Sequence, residues 1–519
     1  TQSNEGTHGD MTTGICIGAA NIDPRYKGMA TGSNLYLFDI GSYPQINNSI
    51  INLSLLKTVI TSTSYSQGCN QYNSSSADGD DKLKNNTPLT FVFSAGNNGT
   101  ADCQYGAGTG WGNITGGYKN GKNTIATGNI DANGNIDPTS SRGPAPDGRI
   151  KPDICANGLG QMSTDENYTY SVGGGTSAAC PGLAGVTAQI YQAWREIKQQ
   201  ENPDGALIKG ILLNTADDLG KTGPDFVYGW GRVNARRALQ TIQKSQYFTD
   251  SLEDGDSASF TLNIPEGTRQ MKVMLYWADP AGLTNSTINL VNNLDLEVRR
   301  PDGSILLPWK LNSTPVASLL NTAAGFGKDS LNNMEQVSLS SPVAGNYQVR
   351  ISGASVPDGP QRFYVTYQLE DSTIALTYPI GGEDFSPSQA EVIRWDAPAS
   401  TTPFRLEYSA DSGQTWTTIS NPIATARQAS WNVPSTFITG RGLVRLSRGT
   451  QTDKSHKTFS SINPPGNVRV TKACQDSVTL AWNVVPGATV YQVYFLGEKY
   501  MDSVAVTTGT QITLPHDFS

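Results

Sequence analysis

The spacing of apolar residues changes near residue 246. Before it, short apolar runs such as residues 35–38 and 90–93 alternate with helical stretches, of which residues 183–199 form the longest. That alternation predicts an α/β domain, doubly wound around a mostly parallel sheet. After residue 246, short alternating segments separated by turn residues predict all-β sandwich modules. The chain is therefore expected to be multidomain.

Proline-containing breaks near residues 371 and 462 divide the β half into three modules. We expect domains at 1–246, 247–371, 372–462 and 463–519. The length of 519 residues agrees with three to four domains of about 150 residues each. The last segment is shorter than the roughly 100 residues of a sandwich, and we expect it to be a truncated module.

Composition argues against two classes of partner. Only 16% of the residues are charged and the net charge is −8, so we expect no nucleic-acid partner. No run of about 18 apolar residues occurs, and we expect no membrane span.

Six cysteines give one hint about the compartment. Cys69 and Cys103 lie in polar, turn-rich segments, where a disulfide would close a loop in an oxidising compartment; the sequence leaves this pairing open against two free thiols. Cys16, Cys155 and Cys180 lie among small or apolar residues and are predicted to be buried thiols.

Three segments of the α/β half carry residues suited to chemistry. The run HGDMTTG contains His8, the one histidine in this half, although a solvated histidine at a helix start is the alternative. The apolar run ending in SAGNNG places Asn97 after a strand, where its amide could face an oxyanion or merely form a turn. The run GGGTSAACP places Ser177 at a helix N-terminus, as a nucleophile or as a cap.

Taken together, a serine, a histidine to accept its proton and two donors for an oxyanion are the minimum for acyl transfer. The order of these three segments resembles the subtilisin-like serine proteases (subtilases). Further matching runs are GMA at 28–30, SSRGP at 140–144, DGRIKPD at 147–153 and GWGRVN at 229–234. The resemblance covers about residues 1–245.

The resemblance implies a role for each of these residues. Ser177 would be the nucleophile, His8 the general base and Asn97 the side-chain oxyanion donor, with the Ser177 N–H as the second donor. Ser64, Tyr65 and Gly96 would bind substrate, and Ser64 and Tyr65 would pair with the substrate backbone as an added strand.

One member of the family's triad is missing. The catalytic aspartate should precede the histidine by about 30 residues, and only seven residues precede His8. We expect it upstream of Thr1, which would leave the chain as given nearly inactive; a degenerate protease is the alternative. Asp10 is too close to His8 in the sequence to replace it. The sedolisins share the serine motif but use Glu and Asp in place of His and Asn, so His8 and Asn97 argue against them.

The β modules resemble known accessory domains. Residues 247–371 are similar to the jelly-roll sandwich that follows the catalytic domain in kexin-like and alkaline subtilases. Its carboxylates Asp295, Asp329 and Glu335 could bind a structural calcium ion, or could simply cap turns, which is the interpretation we favour.

The two later modules resemble other sandwich families. In the Ig-like module 372–462, the run SADSGQTW has the form of a sialidase Asp-box; because it occurs once, we interpret it as a structural hairpin. Residues 463–519 resemble a fibronectin type III module with Trp482 and Tyr491 in its core.

These observations predict a secreted bacterial serine endopeptidase, extracellular or at the cell surface, that acts on protein or peptide substrates and needs no cofactor for its chemistry. The alternative is a catalytically dead, subtilase-like adhesion protein whose β modules bind surface proteins or glycans.

Overall fold

A computed structural model describes residues 7–38, 53, 55–69 and 71–515. The chain divides into two compact units, Thr1–Leu369 and Glu370–Ser519. The first unit unites the predicted peptidase domain with the first β module. Within the described ranges, no helix is long and apolar enough to cross a membrane.

The first unit contains a parallel four-stranded sheet. Its strands are β1 (Ile60–Thr63), β2 (Thr90–Ser94), β3 (Ile125–Ile130) and β4 (Ile154–Asn157), paired in that order. Every residue of β2 and β3 is buried, as expected for parallel strands covered on both faces. The parallel pairing agrees with the sequence, and the doubly wound arrangement stays a prediction. A hairpin of β5 (Gln161–Asp165) and β6 (Thr169–Gly173) follows.

The longest helix of this unit packs on the sheet. It is α3 (Thr176–Lys198), which begins seven residues before the predicted start and buries Leu183 and Ile190 in one core with Val92 and Ile154. Other helices of this part are α1 (Thr7–Ile17), α2 (Ser74–Asn85), α4 (Gly205–Asn214) and α5 (Ala235–Gln243).

One strand predicted from the sequence is wrong. Residues 35–38 form no strand, and Leu37 and Phe38 are 68% and 52% exposed. An apolar run becomes a strand only when a neighbouring strand pairs with it, and none does so in the described part of the chain.

Two four-stranded sheets form most of the rest of the first unit. One has the order β11-β10-β15-β8 and the other β14-β9-β16-β7, and Val273, Leu296, Val349 and Val365 from the two sheets share one core. The strands are β7 (Tyr247–Leu252), β8 (Ser257–Ile264), β9 (Gln270–Tyr276), β10 (Asn293–Arg299), β11 (Ile305–Leu306), β14 (Met334–Ser340), β15 (Gly345–Ser355) and β16 (Gln361–Glu370). Between them lie β12 (Trp309–Lys310), α6 (Ala317–Leu320) and β13 (Gly325–Phe326).

Buried charges join this sandwich to the α/β part. The ammonium of Lys122 pairs with the Asp279 carboxylate and also donates to the Asn289 carbonyl at 2.7 Å; both ionic side chains are fully buried. On the α/β side, Lys151 and Lys209 share the Asp153 carboxylate at 2.5 and 2.8 Å. Each of these cations therefore has a carboxylate partner.

The second unit is all-β. Its strands are β17 (Ala375–Tyr378), β18 (Asp384–Phe385), β19 (Ala390–Asp396), β20 (Arg405–Ser409), β21 (Thr417–Ser420), β22 (Gln428–Asn432), β23 (Thr439–Arg448), β24 (Gln451–Lys454), β25 (Phe459–Ser461), β26 (Arg469–Ala473), β27 (Ser477–Ala481), β28 (Tyr491–Leu496), β29 (Met501–Thr507) and β30 (Gln511–Pro515). Trp395 and Trp431 lie in one core, and Trp482 packs on Tyr491 in another. The Ig-like and fibronectin type III assignments stay predictions.

The Asp-box run forms the turn between β20 and β21. The Asp411 carboxylate accepts hydrogen bonds from the Ser409 hydroxyl and from the Thr415 N–H and hydroxyl, which hold the pKa of Asp411 below its usual value. Arg445 stacks on Trp416 with 4.1 Å between its guanidinium carbon and the ring centre. The carboxylate is thus occupied in shaping the hairpin, in agreement with a structural interpretation.

Candidate active site

A cavity of about 250 Å³ lies at the carboxyl ends of β1 and β2, where parallel sheets bind ligands. Six residues singled out from the sequence line it together: His8, Ser64, Tyr65, Gly96, Asn97 and Ser177. Ser66, Ser94 and Thr176 complete the lining. The fold therefore brings all the proposed catalytic and substrate-binding residues to one place, from segments up to about 170 residues apart.

Ser177 is placed by the turn into α3. Gly175 precedes the helix at φ +83°, and a Cβ there would lie 3.1 Å from the Asn97 amide nitrogen, so a glycine suits both the backbone and the space. Ser177 is the second residue of the helix, where the backbone N–H groups have no partner within the helix. Its carbonyl accepts a hydrogen bond from the Ser64 hydroxyl at 2.9 Å, which ties the end of β1 to the start of α3.

The Asn97 side chain is held in one orientation. Its amide oxygen accepts from the Thr176 N–H at 3.0 Å and from the Thr176 hydroxyl at 2.8 Å. Because a backbone N–H can only donate, the atom that faces it must be the amide oxygen. The amide nitrogen is therefore on the side of the group away from Thr176, in a residue that lines the cavity.

Gly96 lets the chain turn sharply after β2. Its φ is +116°, and a Cβ would lie 2.4 Å from the Thr115 methyl and 2.8 Å from the Ser141 hydroxyl. Its N–H donates to the Thr176 hydroxyl at 3.2 Å. A side chain at this position would collide with Thr115 and Ser141, so Gly96 acts on the site through its backbone.

His8 lies in the first turn of α1 and is exposed. The helix is fixed by the β5–β6 hairpin, because the Ser163 hydroxyl donates to the Met11 carbonyl and the Thr164 hydroxyl to the Asp10 carbonyl, both at 2.8 Å. Met11 also packs with Ala178 of α3. Among the described residues, no carboxylate pairs with His8.

The comparison with known proteins supports this part of the chain as a protease domain. Residues 1–231 match the subtilase family. One relative is the serine protease/ABC transporter B family protein tagB of Dictyostelium discoideum, 26% identical over 312 residues, which cover 46% of this chain and 16% of that protein. Another is the extracellular serine protease of Serratia marcescens, 30% identical over 115 residues, which cover 20% of this chain and 10% of that protein.

The chain thus spans about a sixth or less of the length of these curated relatives. Among solved structures, the prenylagaramide maturation protease PagA matches with 20% identity and a TM-score of 0.32, over 40% of this chain and 69% of that one. That likeness is loose.

Two residues of the subtilase-like domain that bear on the site were not assigned a role from the sequence. Thr176 orients Asn97, and its place between Gly175 and Ser177 was the available signal. Lys119, in a 3₁₀ turn at Gly117–Asn120, is buried directly behind Ser94 and Tyr65. No sequence pattern pointed to Lys119.

The disulfide left open by the sequence is present, and it joins Cys69 to Cys103. Cys155 and Cys180 are buried free thiols as expected, whereas Cys16 is partly exposed. Burial raises the pKa of Cys180, so this thiol beneath the cavity stays neutral near pH 7.

The three carboxylates considered for calcium lie in the sandwich, away from the cavity lining. Asp295 pairs with Lys328 at 2.7 Å, and Asp329 accepts the N–H groups of two following residues. Glu335 accepts the N–H groups of Leu296 and Asp329, and burial raises its pKa well above the usual value. No three His, Cys, Asp or Glu side chains form a metal-binding group in the described ranges. Calcium binding here stays a prediction.

Proposed function

We propose that the subtilase-like domain is the catalytic part of a secreted serine endopeptidase. The observation that carries this proposal is the shared cavity of His8, Asn97 and Ser177, in which Thr176 fixes the Asn97 amide with its nitrogen on the side away from Thr176. Orientation of this kind makes a donor effective, because it needs no rearrangement when charge develops during the reaction.

The chemistry follows from these positions. The Ser177 hydroxyl oxygen attacks the substrate carbonyl carbon while His8 accepts the hydroxyl proton. The resulting oxyanion receives hydrogen bonds from the Asn97 amide and from the Ser177 N–H at the positive end of α3. When the C–N bond breaks, His8 returns the proton to the leaving amine, and water, activated by His8, then hydrolyses the acyl-enzyme.

Substrate would lie along the segment that continues β1. Ser64, Tyr65 and Ser66 line the cavity, and the hydrogen bond from Ser64 to the Ser177 carbonyl keeps this segment beside the nucleophile. An extended peptide could add to its exposed backbone groups as a further strand. Gly96 also lines the cavity and belongs to the same proposed substrate-binding set.

Secretion is part of the proposal on two grounds. A disulfide between Cys69 and Cys103 is typical of proteins in oxidising compartments. One relative of the domain is named an extracellular serine protease.

Peptide hydrolysis by the full-length protein tests the function. We expect Ser177→Ala and His8→Ala each to lower kcat on the order of 10⁶-fold, the loss found for the corresponding residues of a subtilisin. Ser257→Ala, a change at an exposed serine of β8, is the matched control and should leave kcat unchanged. Absence of hydrolysis by the wild-type protein would favour the catalytically dead adhesion protein instead.

A further inference from the structure

Lys119 is a buried cation next to the cavity. Its side chain has no exposed surface, and its ammonium donates to the Tyr65 carbonyl, to the Thr115 hydroxyl at 2.7 Å and to the Ser94 hydroxyl at 3.5 Å. Two of these partners, Tyr65 and Ser94, line the cavity that contains Ser177. Two residues that the ammonium contacts directly therefore also form part of the cavity wall.

Its surroundings differ from those of three other lysines whose side chains are fully buried. Lys122, Lys151 and Lys209 each pair with a carboxylate, whereas in the described part of the chain the ammonium of Lys119 has only neutral oxygen partners. The face of the Tyr65 ring lies 4.4 Å from the ammonium. A buried ammonium without a carboxylate has lost its hydration without gaining an opposite charge, which is costly.

The titratable groups that face Lys119 do not supply that charge. They are the Tyr65 side chain, whose ring faces the ammonium, and the Cys180 thiol, whose pKa is raised by burial so that it stays neutral near pH 7. Burial accordingly lowers the pKa of Lys119 to about 7. The site is thus poised to gain an anionic partner.

On the basis of the proposed peptidase function, we propose that the cavity accepts an acidic substrate side chain, Asp or Glu, with Lys119 as its counter-ion. Asn97 and Ser177 form part of the cavity wall, so the side chain that enters belongs to the residue whose carbonyl Ser177 attacks. A volume of about 250 Å³, roughly that of eight waters, holds one side chain of this size.

The contacts show how the carboxylate would be received. The hydrogen bond from Lys119 to Ser94 is the longest of the three, so it is the one that a carboxylate can most easily replace. The Ser94 hydroxyl, which now donates to the Tyr65 carbonyl at 3.3 Å, could then donate to the same carboxylate. Hydrogen bonds between two ionised groups are stronger than neutral ones, which favours Glu over its neutral isostere Gln.

Peptides that differ only at this residue test the proposal. We would compare acetyl-Ala-Ala-Pro-Glu-aminomethylcoumarin with the Gln, Asp and Lys versions on the full-length protein. We expect kcat/KM for Glu to exceed that for Gln by about ten- to a hundredfold, with Lys poorest. Lys119→Met should abolish the preference while Gln is still cleaved, and Lys119→Arg should retain part of it.

A second measurement needs no variant. In the ratio of kcat/KM for Glu to that for Gln, every effect of pH on the catalytic steps that both substrates share cancels. Because Lys119 is charged below its pKa, the ratio should be high at pH 6 and fall as the pH rises through about 7.

Equal cleavage of Glu and Gln at every pH would overturn the acidic preference and leave the peptidase function intact. A Glu preference that persists in Lys119→Met would likewise overturn the role of Lys119. If none of the peptides is cleaved, the peptidase function fails and this inference fails with it.

Discussion

The orientation of Asn97 can be tested through Thr176→Val. The substitution keeps the shape of the side chain but removes the hydroxyl that donates to the Asn97 amide oxygen at 2.8 Å, while the Thr176 N–H at 3.0 Å remains. In the wild-type protein, flipping the amide gives up two hydrogen bonds accepted by its oxygen, and in the variant it gives up one. The flipped state thus becomes easier to reach.

The size of the effect follows from one neutral hydrogen bond, about 1 kcal/mol. Since 1.4 kcal/mol corresponds to a factor of ten, we expect kcat to fall roughly 5- to 10-fold. KM should hardly change, because the oxyanion exists only in the transition state and the intermediate. Thr176→Val also leaves the Gly96 N–H without the hydroxyl that accepts its hydrogen bond. We therefore expect the free energy of unfolding to fall by about 1–3 kcal/mol.

Steady-state hydrolysis of a peptide amide is the assay, with a double-mutant cycle to separate orientation from stability. Asn97→Ala should lower kcat roughly 10²–10³-fold, the figure established for the corresponding amide of a subtilisin. In that background, Thr176→Val should change kcat less than twofold. Thr187→Val is the matched control, because Thr187 is a buried threonine of the same helix whose hydroxyl donates to the Leu183 carbonyl. Fully multiplicative effects of Thr176→Val and Asn97→Ala on kcat would refute the orienting role.

Two further predictions concern buried cations. Lys122→Met should lower the free energy of unfolding by about 3–5 kcal/mol in urea titrations, because Asp279 would stay buried without its partner; a loss below 1 kcal/mol would contradict this. The lowered pKa of Lys119 means that its charged form destabilises the folded protein. This destabilisation is greatest below about pH 7 and decreases as the pH rises towards 10.5. The free energy of unfolding of Lys119→Met relative to wild type should therefore be greater at pH 6.5 than at pH 9.5, by a difference on the order of a few kcal/mol; a difference independent of pH would contradict the lowered pKa.

The sequence predicted the site residues whose position depends on the local backbone, at the end of a strand or the start of a helix. Gly96 and Asn97 follow a buried strand, and Ser177 follows a glycine-rich turn into a helix. Because the ends of parallel strands meet at one edge of a sheet, these residues could be expected near one another before the fold was known. In the structure, these residues do line one cavity.

Other features depend on partners far away in the sequence and left no local signal. Lys122 and Asp279 are 157 residues apart, and neither segment alone marks a buried ion pair. Lys119 contacts Tyr65 and Ser94, which are 54 and 25 residues away in the sequence, and no local pattern marks these contacts. The apolar run at 35–38 failed as a strand for the related reason that pairing requires a second segment.

The most direct test of the nucleophile is the site of covalent labelling. The full-length protein would be treated with a fluorophosphonate probe, digested and analysed by mass spectrometry. We expect the label on Ser177 and on no other serine of the cavity, with labelling lost in Ser177→Ala and strongly slowed in His8→Ala. Labelling at Ser64, Ser66 or Ser94 instead, or no labelling of the wild-type protein, would contradict the assignment of Ser177 as the nucleophile.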